Sequence, residues 1–127
     1  MTYSILIIGG DASLRSELVS TLHEAGFAVA SMSDYPETLF KQNGFKPDLV
    51  IMDEALPNLD AMEACYELEN TFGIPVILLG KDSTDELYRR VMEADASLYL
   101  LKPVSHRELI ARVKAILRRY KVRGKIT

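Results

Sequence analysis

Five short apolar runs, at residues 4–8, 27–31, 49–52, 76–79 and 98–101, alternate along this 127-residue chain with five segments of helical periodicity. That alternation constrains the fold more than any other feature. The runs are rich in Ile, Val and Leu and nearly continuous, the pattern of strands covered on both faces. Alternating strands and helices with short links predict a parallel sheet with helices on both sides. The second run contains Ala28 and Ala30 and is the weakest, which suits an edge strand. At 48% hydrophobic residues the chain can bury one real core, and it has no room for a second. No internal repeat or low-complexity segment interrupts it.

The helical segments carry their own punctuation. Leu14, Leu18, Leu22 and Ala25 form one stripe, Asp11 or Ser13 can cap it, and Gly26 supplies the stop. Pro36 suits the first turn of a second helix. Met62, Cys65, Tyr66 and Glu69 mark one side of a third, and Leu87, Tyr88, Val91 and Met92 a fourth. In the last, Leu109, Ile110, Val113, Ile116, Leu117 and Tyr120 line up, while Arg112, Arg118 and Arg119 fall outside the stripe.

Composition excludes several classes. No apolar run reaches the roughly 18 residues that a membrane-spanning helix needs. The first residues carry no basic segment, and the apolar stretch at 5–8 stops at Gly9 and Gly10, unlike a signal peptide. The expectation is a cytoplasmic protein without membrane association. The single cysteine, Cys65, cannot form an internal disulfide and reads as a helix residue facing the core. His23 and His106 are too isolated to form a metal site. Residues 105–127 hold eight Lys/Arg against Glu108 alone, a balance of +7, which leaves −10 for the rest of a chain whose net charge is −3. This asymmetry reads as the polar face of a last helix followed by a solvated tail. Without a second helix to complete a helix-turn-helix, direct nucleic-acid binding is not expected.

Ligands of open parallel sheets bind beyond the carboxyl ends of the strands. There the sequence places Gly9, Gly10 and Asp11 after the first run, Asp53, Glu54 and Ala55 after the third, Gly80 and Lys81 after the fourth, and Lys102 after the fifth. Asp53 can therefore meet Lys102 across the top of the sheet. A buried Asp–Lys pair taken alone is more often structural than catalytic.

The ordered motifs say more. Pro47-Asp48-Leu49-Val50-Ile51-Met52-Asp53 followed by Leu56-Pro57-Asn58-Leu59-Asp60, Ile74-Pro75-Val76-Ile77-Leu78-Leu79, Tyr99-Leu100-Leu101-Lys102-Pro103 and Glu108-Leu109-Ile110-Ala111-Arg112-Val113 resemble, in order and spacing, the receiver (CheY-like) domains of response regulators. The resemblance runs from about Tyr3 to Tyr120. It implies a doubly wound, five-stranded parallel sheet of order 2-1-3-4-5. It also implies a receiver domain over residues 1–120 and a basic tail or linker over 121–127. Asp53 would be the phosphoacceptor, Lys102 the partner of the phosphoryl oxygens, Gly80 and Tyr99 the switch positions, and the Ala55 carbonyl a metal ligand.

The departures are equally specific. The two acids usual after strand one are replaced by Gly9 and Gly10, leaving Asp11 one position further on, where it reads as a helix cap. Mg²⁺ favours near-octahedral oxygen ligands, so the expectation is no metal or weak Mg²⁺ binding, with Asp53, Asp11 and the Ala55 carbonyl as the only candidate ligands. Gly80 replaces the usual Thr or Ser. Lys81 follows it, where its ammonium is a candidate to fill the altered pocket or pair with Asp53. Glu54, adjacent to Asp53, contributes only if the strand has already ended. Leu98 replaces a common acid and Asp95 a common glycine. Leu98, Tyr99, Leu100 and Arg112 thus outline a partner or homodimer surface built from helix four, strand five and helix five, although Leu98–Leu100 also fit ordinary strand packing.

The expectation is a degenerate, or pseudo-, receiver of a two-component pathway. It would act by contact with a sensor histidine kinase or another signalling protein, with a downstream output domain, and with weak or absent Mg²⁺-dependent phosphorylation. It would not be an enzyme, beyond self-phosphotransfer to Asp53. The alternative is a conventional phospho-accepting switch through Asp53. A remote alternative is a nucleotide-binding α/β enzyme, for which Gly9-Gly10-Asp11-Ala12-Ser13 is a weak signal lacking the dinucleotide and P-loop spacings.

Overall fold

In the computed structural model, described over residues 2–42, 46–56, 60–81 and 98–126, five parallel strands form one sheet of order β2-β1-β3-β4-β5. The strands are β1 (Ser4–Ile8), β2 (Ala28–Met32), β3 (Leu49–Asp53), β4 (Val76–Gly80) and β5 (Leu98–Leu101). The described helices are α1 (Ala12–Glu24), α2 (Glu37–Phe40), α3 (Ala61–Tyr66) and α4 (His106–Ile126). The fourth helical pattern of the sequence (Leu87, Tyr88, Val91, Met92) and Asp95 lie outside the described residues.

Successive strand residues face opposite sides of a sheet, and both sides here are apolar. Ile5, Ile7, Ile51, Ile77, Leu79 and Leu100 pack with Leu18 and Leu22 of α1 and with Leu109, Val113, Ile116 and Leu117 of α4. On the other face Leu6, Ile8, Val50, Met52, Val76 and Leu78 pack with Phe40 of α2 and with Ala61, Ala64 and Cys65 of α3. The near-continuous apolar runs therefore reflect double coverage. The edge strand β2 is mostly exposed or half-buried, which accounts for its alanines.

Local signals fix the helix ends. Asp11 caps α1 by accepting the Leu14 N–H at 2.7 Å, and Gly26, at φ +100°, lets the chain leave that helix. Asp60 caps α3 through the Met62 N–H at 2.8 Å. The helix after Tyr66 then widens into a π-type turn, Glu67–Thr71, closed by the Phe72 N–H on the Glu67 carbonyl. Two glutamates anchor that turn. Glu67 accepts the Tyr35 hydroxyl at 2.7 Å; Glu69 accepts the Val76 N–H at 2.9 Å and the Tyr120 hydroxyl at 2.7 Å. Burial, with Glu69 and Asp60 nearby, pushes the Cys65 thiol up to about 12. Its thiolate is scarce at neutral pH, which fits a core residue rather than a redox group.

Some boundaries differ from those read in the sequence. The second strand starts at Ala28, because the Phe27 N–H is spent on the Leu22 carbonyl and its ring joins the core. The third and fourth strands run one residue further, to Asp53 and Gly80. Helix α4 continues as far as Ile126, into the segment expected as a basic tail or linker.

Leu78 is fully buried on the interior strand β4. Leu78→Ala should lower unfolding free energy by about 2–5 kcal/mol, whereas Ala30→Ser on the exposed part of β2 should change it by about 0.5 kcal/mol or less. Urea unfolding of the two variants checks the contrast.

Candidate functional site

Between their first and last residues β1, β3 and β4 carry only buried apolar side chains, so polar groups gather where the strands end. Asp53 closes β3 and is 2% exposed, the single buried polar or charged residue among the described residues. Its Oδ1 accepts the Ala55 N–H at 2.9 Å, and its Oδ2 meets Lys102 Nζ at 2.6 Å. Lys102 follows β5, its backbone N–H donating to the Gly80 carbonyl at 2.8 Å, so the strand pairing that seats β5 also sets the lysine. Its side chain remains 21% exposed. The peptide bond to Pro103 is cis. The Asp–Lys pair expected from the sequence thus forms across two strand ends, with β4 between them.

Gly9 and Gly10 lie beside it with φ of +81° and +76°. A Cβ on Gly9 would stand 2.6 Å from a Leu56 methyl carbon, and one on Gly10 3.2 Å from Asp53 Oδ2. The Gly9 N–H donates to the Met32 carbonyl at 2.9 Å, and the Arg15 guanidinium, a contact the sequence did not suggest, donates to the Gly10 carbonyl. This turn therefore requires residues without side chains.

The residues present do not fit a carboxylate-built Mg²⁺ site. The Asp53 carboxylate is engaged by Lys102 and Ala55, and the Asp11 carboxylate caps α1. Among the described residues no group of three or more His, Cys, Asp or Glu is placed to hold a metal ion.

Of the two roles expected for Lys81, the structure does not show the pairing with Asp53. Lys81 is exposed and makes no ion pair with Asp53, whose cation is Lys102. With Asp11, Ser13, Glu17, Lys102 and His106 it lines an open cleft of about 440 Å³ beside the site. There His106 Nε2 lies 2.7 Å from Glu17 and Nδ1 3.2 Å from Thr21, a contact between exposed groups.

Glu54 has more to do than expected. Because β3 ends at Asp53, its side chain is released from strand alternation. Oε2 accepts the Tyr99 hydroxyl at 3.3 Å, and Oε1 lies 3.5 Å from the Lys81 N–H. Tyr99 packs against the α2–α3 side of the core and reaches Gly80, where a Cβ would overlap its hydroxyl and ring carbon and stand 2.7 Å from Glu54 Oε2. The two positions expected to act as a switch are thus in direct contact.

The expected partner surface is revised at one residue. Leu100 is only 9% exposed and faces the α1–α4 core, because it alternates with its neighbours along β5. Leu98 and Tyr99 are half-buried, and Leu101, outside the expected surface, is 44% exposed. Arg112 is exposed and sits 3.9 Å from Glu108 one turn earlier.

Comparison with known proteins agrees with this geometry. A sequence model of the response regulator receiver domain matches residues 5–114. The chain is 38% identical over 125 residues to the alkaline phosphatase synthesis transcriptional regulatory protein PhoP of Bacillus subtilis, covering 96% of this chain and 51% of that protein. It is 35% identical over 120 residues to the DNA-binding response regulator MtrA of Mycobacterium tuberculosis, covering 94% of this chain and 52% of that protein. A solved two-component response regulator from Clostridium difficile superposes with a TM-score of 0.83 at 29% identity, covering 93% of this chain and 98% of that one. The chain spans about half the length of the curated relatives it matches.

Removing one partner of a buried ion pair costs more than removing both. Lys102→Ala, which strands the Asp53 carboxylate, should destabilise the fold by about 3 kcal/mol. Adding Asp53→Ala to that variant should restore most of the loss in urea unfolding. Equal stability of single and double variants would show that the carboxylate is solvated without Lys102.

Proposed function

The chain belongs to the response regulator receiver domain family, a signalling module rather than an enzyme, and from that premise we propose that it accepts a phosphoryl group on Asp53. The observation that carries this reading is the buried Asp53 carboxylate at the end of β3 with the Lys102 ammonium at 2.6 Å. In the proposed step a carboxylate oxygen of Asp53 forms a bond to phosphorus while the donor's bond to phosphorus breaks and the leaving group departs with the electron pair. Lys102 then lies beside the phosphoryl oxygens, where a fixed cation counters their charge.

The sequence alone favoured a domain that had lost this chemistry. Membership in the family and the similarity to PhoP and MtrA give that expectation no support and fit a phospho-accepting module better. The glycines at 9 and 10 then bear on the metal rather than on the acceptor: we assign the phosphotransfer a weak dependence on Mg²⁺. The phosphoryl donor is a sensor histidine kinase, and the site is read by an output module of a longer cytoplasmic protein. In that division residues 1–120 are the receiver unit and 121–127 the basic extension beyond it. DNA contact, which the DNA-binding response regulator MtrA has by name, falls to the output module. No helix among the described residues is long and apolar enough to cross a membrane.

Incubation with a small acyl phosphate, with and without Mg²⁺, followed by intact-mass measurement, tests the proposal. The expected result is one phosphoryl adduct, lost in Asp53→Ala and changed little by Mg²⁺. No Asp53-dependent adduct under either condition would return the chain to the degenerate reading.

A further inference from the structure

We infer that Gly80 and Glu54 form a built-in seat that holds the Tyr99 ring inward, so that the position of this side chain is set by the chain itself and not by the chemical state of Asp53. The inference goes beyond phosphate acceptance and does not rest on it.

Three neighbouring strands supply the seat. Tyr99 on β5 is registered with Leu78 on β4, so Gly80 is its diagonal neighbour on the same face, within reach of an aromatic ring. Any side chain on Gly80 would occupy the volume that the Tyr99 hydroxyl and ring carbon fill. A glycine inside a buried strand forgoes packing of its own and marks a place where another group comes close; here that group is Tyr99. Glu54, just past the end of β3, completes the seat: its Oε2 accepts the hydroxyl at 3.3 Å and would itself lie 2.7 Å from a Cβ on Gly80. The polar tip is thereby satisfied, while the ring packs against the apolar α2–α3 layer. Gly80 and Glu54 are positioning residues, and each acts through Tyr99. The consequence falls on β5. A partner docking there meets one orientation of Tyr99 beside the exposed Leu101, whether or not Asp53 is modified.

The test is NMR of the whole chain labelled with ¹³C-tyrosine, without phosphodonor or Mg²⁺, with the Tyr99 resonances assigned through Tyr99→Phe. Wild type should show nuclear Overhauser contacts from the Tyr99 ring to the Gly80 Hα. Gly80→Ala should lose them and move the ring resonances toward those of an exposed tyrosine. Glu54→Ala, at a half-buried position that leaves the core intact, should weaken the same contacts, and it decides the matter where Gly80→Ala fails to fold. Absence of the Tyr99–Gly80 contact in wild type, or its persistence at full intensity in Glu54→Ala or in folded Gly80→Ala, overturns the inference. Because no phosphodonor is present, a seated Tyr99 in a protein that forms no adduct on Asp53 would refute only the phosphoacceptor reading.

Discussion

Coverage of the sheet on both faces is the constraint from which the rest of the structure follows. With helices packed on each side, β1, β3 and β4 have no solvent face, and an uncompensated polar side chain inside them would carry a large desolvation cost. Polar chemistry is therefore confined to the strand ends. At the carboxyl end the strands finish at nearly the same level: Ile8 is registered with Met52, Asp53 with Leu79, and Gly80 with Leu101. Four loops consequently open onto one small area, and Asp53, Glu54, Gly80, Lys81 and Lys102 become neighbours although 49 positions separate the first from the last. Asp53 is tolerated there because its two oxygens are taken by a cation and a backbone N–H.

The opposite end of the sheet is closed by a different device. The wide turn at Glu67–Thr71 carries Glu69, whose two oxygens take the Val76 N–H at the start of β4 and the hydroxyl of Tyr120 on α4. Because α3 and α4 lie on opposite faces of the sheet, one carboxylate links both helical layers beneath it. Hydrogen bonds to a charged acceptor are stronger than neutral ones, so this staple helps hold β4 at a fixed height. The height of β4 in turn sets where Gly80 and Leu79 meet their neighbours at the functional end.

What the sequence disclosed and what it withheld divide along physical lines. Strand identity and the Asp53–Lys102 meeting were legible because they follow from periodicity, alternation and the rule that strand ends gather, whereas the sheet order came from the resemblance to receiver domains. The Asp11 cap and the Gly26 stop were legible because capping is decided within four residues. The Tyr99–Glu54–Gly80 contact was not, because it depends on a diagonal between β4 and β5 and on β3 ending one residue before Glu54. Gly80 stands in the sequence as a replacement for Thr or Ser, and nothing there shows that the Tyr99 ring fills the space beside it. Leu100 was assigned to a surface although its alternation with Tyr99 already placed the two on opposite faces. The helical course of residues 121–126 was hidden by Gly124, whose cost of about 1 kcal/mol in a helix does not by itself end one.

The three glycines at the carboxyl end bear on how far this pocket can accept added acids. At Gly80 the missing side chain makes room for Tyr99, so adding one displaces an aromatic ring. At Gly9 and Gly10 the backbone itself has moved into the left-handed region, where an L-residue costs about 1–2 kcal/mol each. A side chain introduced at position 10 would also have its Cβ 3.2 Å from Asp53 Oδ2, so a carboxylate there would add charge repulsion to backbone strain unless a cation arrived at the same time. The cations already in place are Lys102 on Asp53 and the Arg15 guanidinium on the Gly10 carbonyl. The pocket is thus built around fixed side-chain cations and a tight glycine turn, and introducing acids one at a time would work against both.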